Sequence, residues 1–165
     1  MFRAVATALV FALVLACAGP LRRDPGALAA AYADAGRHDE AAREIELATR
    51  SRPQDLALRH QAARIHAKAG NTKRAISHLE AAIQFAPENP ESWIELGEIE
   101  SERSNVSDAY VAYRRAAQLA PHEIRALRGL ALTADSLGFK DEAEDAYARW
   151  AEAENEQKFR DPEED

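Results

Sequence analysis

The chain has 165 residues, 47% of them hydrophobic, with 21 Lys+Arg against 28 Asp+Glu for a net charge of −7, and a single Cys. Length and apolar content fit one modest globular domain and exclude a disordered chain. One cysteine excludes an internal disulfide and any metal cluster built from several thiolates. The acidic balance excludes broad nucleic-acid binding, because affinity for a phosphate backbone is built from many cationic contacts.

Met1 to Arg3 form a short basic start, and Ala4 to Ala16 follow as 13 small or apolar residues. The run is too short to cross a membrane as an ordinary helix, and it has the size and polarity of a secretory signal. Within it, Leu13-Val14-Leu15-Ala16-Cys17 resembles the signal of bacterial lipoproteins, with Leu15 bulkier than the usual small residue beside the cysteine. The resemblance implies a signal peptide over 1–16, a lipid on Cys17 and a tether over 17–23 containing Gly19 and Pro20. Several acyl chains on one cysteine hold a protein at a membrane, whereas one chain does so only reversibly. Ala18 and Gly19 do not match the aspartate rule for inner-membrane retention. The expected address is therefore the bacterial cell envelope, on the outer membrane facing the periplasm. The alternative is an ordinary signal cleaved near Ala16 or Ala18, which leaves a soluble periplasmic or secreted protein.

Beyond Arg23 the chain repeats itself. Ala41, Ala75, Ala109 and Ala143 are each 34 residues apart, as are Pro53, Pro87 and Pro121. Gly36 and Gly70 keep the same spacing; Ser104 holds the next position and Gly138 the one after. Leu28, Ala62, Leu96 and Leu130 are equivalent, each followed by Ala29, Ala63, Gly97 or Ala131. A strict period of this length predicts stacked supersecondary units. Each unit reads as two helices. In the second, Asp55 caps a helix to about Ala69, Gly70-Asn71 turn the chain, and Thr72 caps a second helix to about Ala86. Asn89 and Pro90 then open the next unit.

This pattern resembles the tetratricopeptide repeat. The third unit carries the likeness best, through Trp93, Leu96, Gly97, Ala109, Tyr113, Ala116 and Pro121; the first adds Leu28, Tyr32, Gly36 and Ala41, the second Ala75 and Leu79, the fourth Leu130, Ala143 and Tyr147. The resemblance implies an all-α fold, a right-handed solenoid of four helix-turn-helix repeats. Its domain would span 24–156, with units near 22–55, 56–89, 90–123 and 124–157 and an acidic C-terminal tail over 157–165. The core expected from it comprises Leu28, Tyr32, Ala41, Ala75, Trp93, Leu96, Gly97, Ala109, Tyr113, Leu130, Ala143 and Tyr147. Departures are visible: His66, Glu100 and Ala134 stand in the slot of Tyr32, and Arg59 in that of Trp93, so Arg59 or Glu100 is expected partly exposed at a helix seam. Trp150 falls where Ala48, Ala82 and Ala116 are small, which marks the end of the stack.

In the resembling family the first helix of each pair lines a concave face that receives a peptide or helix. Carried over residue by residue, this selects His60, Gln61, Arg64 and Lys68 in the second unit. It selects Glu91, Ile94, Glu95, Glu98 and Glu102 in the third, and Arg125, Arg128 and Leu132 in the fourth. The second unit is basic and the third acidic, so the two helices bind mainly each other, or else leave part of each open to a peptide of complementary charge. Gly26 and Ala30 occupy slots where a chaperone-type carboxylate clamp wants cationic and amide side chains, which argues against such a clamp.

No glycine-rich phosphate loop or nucleophile elbow is present, and His38, His60, His66, His78 and His122 lack the spacing of a zinc-hydrolase helix. The expectation is a non-enzymatic scaffold with no catalytic residue, no metal and no cofactor, anchored through Cys17 and binding a protein or peptide segment. The alternative is a homo-oligomer joined through its stack ends around Trp150.

Overall fold

The computed structural model describes residues 24–160, and over them the chain is eight α-helices with no strand. They are α1 (Pro25–Asp34), α2 (His38–Ser51), α3 (Leu56–Lys68), α4 (Thr72–Phe85), α5 (Pro90–Glu102), α6 (Val106–Leu119), α7 (Ile124–Leu137) and α8 (Lys140–Arg160). The expected signal peptide, Cys17 and its tether lie outside the described residues. Among the described residues no helix is long and apolar enough to cross a membrane.

Local chemistry fixes the helix ends. The first helix of each hairpin begins on an acceptor side chain that satisfies an otherwise orphaned backbone donor. Asp24 accepts from the Gly26 N–H at 3.2 Å, Asp55 from Leu58 at 3.2 Å, Asn89 from Ser92 at 3.3 Å and Glu123 from Arg125 at 3.2 Å. Each hairpin then turns through a left-handed residue: Gly36, Gly70 and Gly138 at φ of 71°, 74° and 79°, and Ser104 at 61°. The residue after each one donates back into its helix, Arg37 to the Tyr32 carbonyl at 2.8 Å and Asn105 to that of Glu100 at 2.9 Å, the bonding that ends a helix on a left-handed residue.

Successive helices pack on one another, and the first helices also meet directly, α1 with α3 and α5 with α7. Small residues permit this. Ala41, Ala75 and Ala109 have no exposed surface and Ala143 almost none, so the 34-residue alanines are the crossing points of the hairpins. Larger side chains fill the space between crossings: Ile45, Leu79 and Leu127 are wholly buried, each worth about 1.5–3 kcal/mol relative to an exposed position.

Of the expected core residues, Leu28 is only partly buried and Tyr147 lies open. Tyr147 is 36% exposed and stacks on Trp150 at 6.2 Å, because no further hairpin covers its face. Trp150 itself packs against the last cluster and donates from Nε1 to Glu154 at 2.8 Å. Glu100 also differs from expectation. It is buried, held by Arg103 at 2.8 Å and Asn105 at 3.1 Å, whereas Arg59 is half-buried. Helix α8 continues through Arg160, past the expected start of the tail at 157.

Candidate functional site

The first helices of the hairpins bring the expected groove residues to one side, but the structure divides them into a sealed half and an open half. Between α3 and α5 the charges satisfy one another. Glu95 is only 4% exposed; its carboxylate lies 2.9 Å from His60 Nδ1 and accepts from Arg64 Nη1 at 3.0 Å. The other nitrogen of His60 is 3.1 Å from the Ser92 hydroxyl. Gln61 donates to the Gly26 carbonyl at 3.0 Å, which ties α3 to α1. Ile94 is 1% exposed and belongs to the core. His60, Glu95 and Ile94 therefore do not face a ligand as their helix position suggested: the neighbouring hairpin buries them. Among the described residues the basic helix binds the acidic one through Glu95 alone, since Glu91 and Glu98 turn to Arg125 and Glu100 to Arg103 and Asn105.

Between α5 and α7 a second ionic device spans the groove. Arg125 reaches back to α5 and donates to both oxygens of Glu91, at 2.9 and 3.0 Å, and to Glu98 from Nε at 3.0 Å and from Nη2 at 2.9 and 3.0 Å. Burial works against the guanidinium charge, and the bonds to the two carboxylates overcome it, so the pKa rises above the ordinary arginine value. A planar fork meeting carboxylates two helical turns apart fixes the spacing of the helices that carry them.

Next to this clamp the groove opens into a hollow of about 530 Å³. Tyr113 and Val106 form its apolar part, and Leu132, 51% exposed, stands in it. Ser101, Ser136 and Arg128 add polar groups. Burial, the largest influence, raises the Tyr113 phenol above its usual pKa, so the hydroxyl stays protonated at neutral pH. Arg128 is exposed and has no ion pair among the described residues, and the same holds for Lys68 and Glu102 elsewhere on the first helices. The hollow thus offers an apolar floor beside an uncommitted cation.

A different cluster lies between the first two hairpins, where Glu46 of α2, His66 of α3 and His78 of α4 converge. Glu46 Oε1 is 3.0 Å from His66 Nε2 and 3.3 Å from His78 Nε2, and the two imidazoles stack at 5.3 Å. Burial pushes both imidazoles below their usual pKa against the pull of Glu46. Burial also acts to raise Glu46, but the two histidines outweigh it and hold the carboxyl below the usual range. The sequence spacing shows none of this, since Glu46 stands 20 and 32 residues from its partners. One signal was present: His66 fills a slot that holds Tyr32 one unit earlier, a position that the fold buries.

Residues 56–99 match a family model described as tetratricopeptide repeat. The human PEX5-related protein is 35% identical over 83 residues, and the peroxisomal targeting signal receptor of Komagataella phaffii is 31% identical over 74. These matches take in 50% and 45% of this chain but only 13% of each relative. Among solved structures, the crystal structure of MamA superposes with a TM-score of 0.73 at 20% identity, over 81% of this chain and 78% of that one. The first repeat domain of Spaghetti (RPAP3), bound to an HSP90 peptide, gives 0.63 at 18% identity over 69% and 90%. Four capped hairpins, the repeat match over 56–99 and the shared MamA fold make this chain an all-α solenoid of tetratricopeptide-type helix-turn-helix repeats.

Proposed function

We propose that the chain is a non-enzymatic scaffold whose α5–α7 groove takes a peptide or helical segment, held at a bacterial envelope membrane by lipid on Cys17. The observation that carries the groove reading is the hollow beside the Arg125 clamp, lined by Tyr113, half-exposed Leu132 and Arg128, which has no ion pair among the described residues. Such a surface selects a segment that places an apolar side chain next to a carboxylate. The Spaghetti repeat domain, bound to an HSP90 peptide of sequence SRMEEVD, and the peroxisomal targeting signal receptor of Komagataella phaffii support the reading by what they bind. The outer membrane facing the periplasm is the proposed address, on the strength of the signal-like run ending at Cys17.

The test pairs two measurements on natively expressed protein. A photo-crosslinking residue at Leu132 should capture one protein species that the same residue at Val111, exposed outside the groove, does not. Intact mass should show acyl chains on the wild type and their loss, with release from membranes, in Cys17→Ser. Equal capture from both positions defeats the groove reading. An unacylated wild type defeats the anchor and favours a soluble exported adaptor.

A further inference from the structure

We propose that Glu46, His66 and His78 form a binding site for a divalent transition-metal ion, of which zinc is the best fit. All three ligand atoms lie within 4.8 Å of one another. A tetrahedral zinc with bonds of about 2.0–2.1 Å holds its ligands roughly 3.4 Å apart. The carboxylate oxygen already stands 3.0 and 3.3 Å from the two imidazole nitrogens, so these two pairs need shifts of a few tenths of an ångström, while the stacked imidazoles must turn their Nε2 atoms, within 4.8 Å of each other, toward the common ion. Two imidazoles and one carboxylate are a donor set suited to zinc and poorly suited to calcium or magnesium, which take oxygen.

The site can be reached. Glu46 and His78 line a depression of about 260 Å³ that is open to solvent and bordered by Ser77, Arg50 and Arg74. Water entering there supplies the fourth ligand, while His66 closes the site from behind with no exposed surface. The three ligands come from three helices in two hairpins, so an ion bound here joins the first hairpin to the second.

Proton positions set the affinity. Without metal, Arg59 Nη1 lies 3.2 Å from His78 Nδ1 and donates to it, which leaves Nε2 as the nitrogen that carries hydrogen toward Glu46. His66 Nδ1 is buried with no partner, which suits the same tautomer. Metal on each Nε2 sends that hydrogen to water and a proton returns to Nδ1, so each imidazole stays neutral; on His66 this leaves a buried N–H without an acceptor, which lowers the affinity. Arg59 then faces a donor instead of an acceptor and must turn away, retaining its bond from Nε to the Pro53 carbonyl at 2.9 Å. Arg59 is thus a positioning residue that opposes capture, and the site should tighten when its guanidinium is removed.

The experiment is a zinc titration of the purified full chain in competition with a chelating dye, repeated with cobalt as an absorbing stand-in. The wild type should bind one equivalent and gain thermal stability from it. E46Q and H78Q should lose affinity by about tenfold or more, H122Q should match the wild type, and R59M should bind several-fold tighter. Circular dichroism without metal checks that each variant folds; if H78Q does not, E46Q and R59M decide. Absence of saturable binding, or equal affinities in wild type, E46Q and R59M, overturns the site.

Discussion

The ring of Tyr113 occupies the space that a side chain on Gly129 would need: a Cβ built there would lie 2.5 Å from three ring carbons. The opposite face of the groove repeats the arrangement, since a Cβ on Gly97 would come within 2.8 Å of the same ring. Tyr113 is thereby the wedge between α5 and α7, and two glycines let both helices close on it.

Gly129→Ala is expected to destabilise the fold by about 1–2 kcal/mol. Alanine in a helix interior gains up to about 1 kcal/mol over glycine, but overpacking a filled core costs about 1–3 kcal/mol, and contact at this distance places the cost at the upper end. Gly97→Ala should follow with a smaller loss. Urea unfolding measures both, and Tyr113→Leu should relieve the Gly129→Ala penalty in a double-mutant cycle. A stabilised Gly129→Ala would mean that the ring moves freely.

Ser104 offers the opposite case. It holds φ of 61° where the other three hairpins place glycine, a conformation that costs an L residue about 1–2 kcal/mol. Ser104→Gly should stabilise the chain by about 0.5–1 kcal/mol after the entropy of the added glycine is set against the relieved strain. A differential scan that finds no rise, or a fall, would show the serine to be unstrained.

The repeat register was legible because packing constrains it at fixed intervals: alanines at the crossings, left-handed residues at the turns and prolines at the ends recur every 34 residues. Even a departure from the pattern carried information. Arg59 replaces Trp93 in its slot, yet each donates to the carbonyl of a proline six residues back, Arg59 to Pro53 at 2.9 Å and Trp93 to Pro87 at 3.0 Å. The slot asks for a long side chain with an N–H, which a search for aromatic residues alone does not reveal. The groove was only half legible. Helix position puts Arg64, Arg128 and Leu132 on the first helices, but which charges remain open depends on the reach of side chains between hairpins, and Arg64 is held by Glu95. Arg125 meets Glu91 across 34 residues and Glu98 across 27, and Glu95 meets His60 across 35, distances at which no local spacing rule operates.

The Arg125 clamp should matter for stability in a salt-dependent way. Its guanidinium and both carboxylates are more than a third exposed, so solvent screens the pair and the expected loss for Arg125→Met is about 1 kcal/mol at low ionic strength. Part of that loss should return in the triple variant with Glu91→Gln and Glu98→Gln, which removes the two stranded charges. Denaturation at low and high salt checks this: the wild-type advantage should shrink as salt rises. A salt-independent difference would point to packing of the arginine stem.

Partner capture should respond to groove residues that carry no structural bond. Charge reversal at Arg64 or Glu98 strands Glu95 or breaks the Arg125 clamp, so either change disturbs the fold together with the surface. Arg128→Glu and Leu132→Glu avoid that difficulty, because Arg128 has no ion pair among the described residues and Leu132 is already half in solvent. Both variants should unfold within about 0.5 kcal/mol of the wild type, as surface substitutions away from special features do. Both should also lower the yield of the crosslink made from a neighbouring groove position such as Ser136, with Arg128→Glu losing most at low salt because a reversed charge repels an acidic segment over a Debye length. Stable variants that crosslink as well as the wild type would move the binding surface away from α5 and α7, to the exposed Lys68 and Glu102 or to the end of the stack at Tyr147.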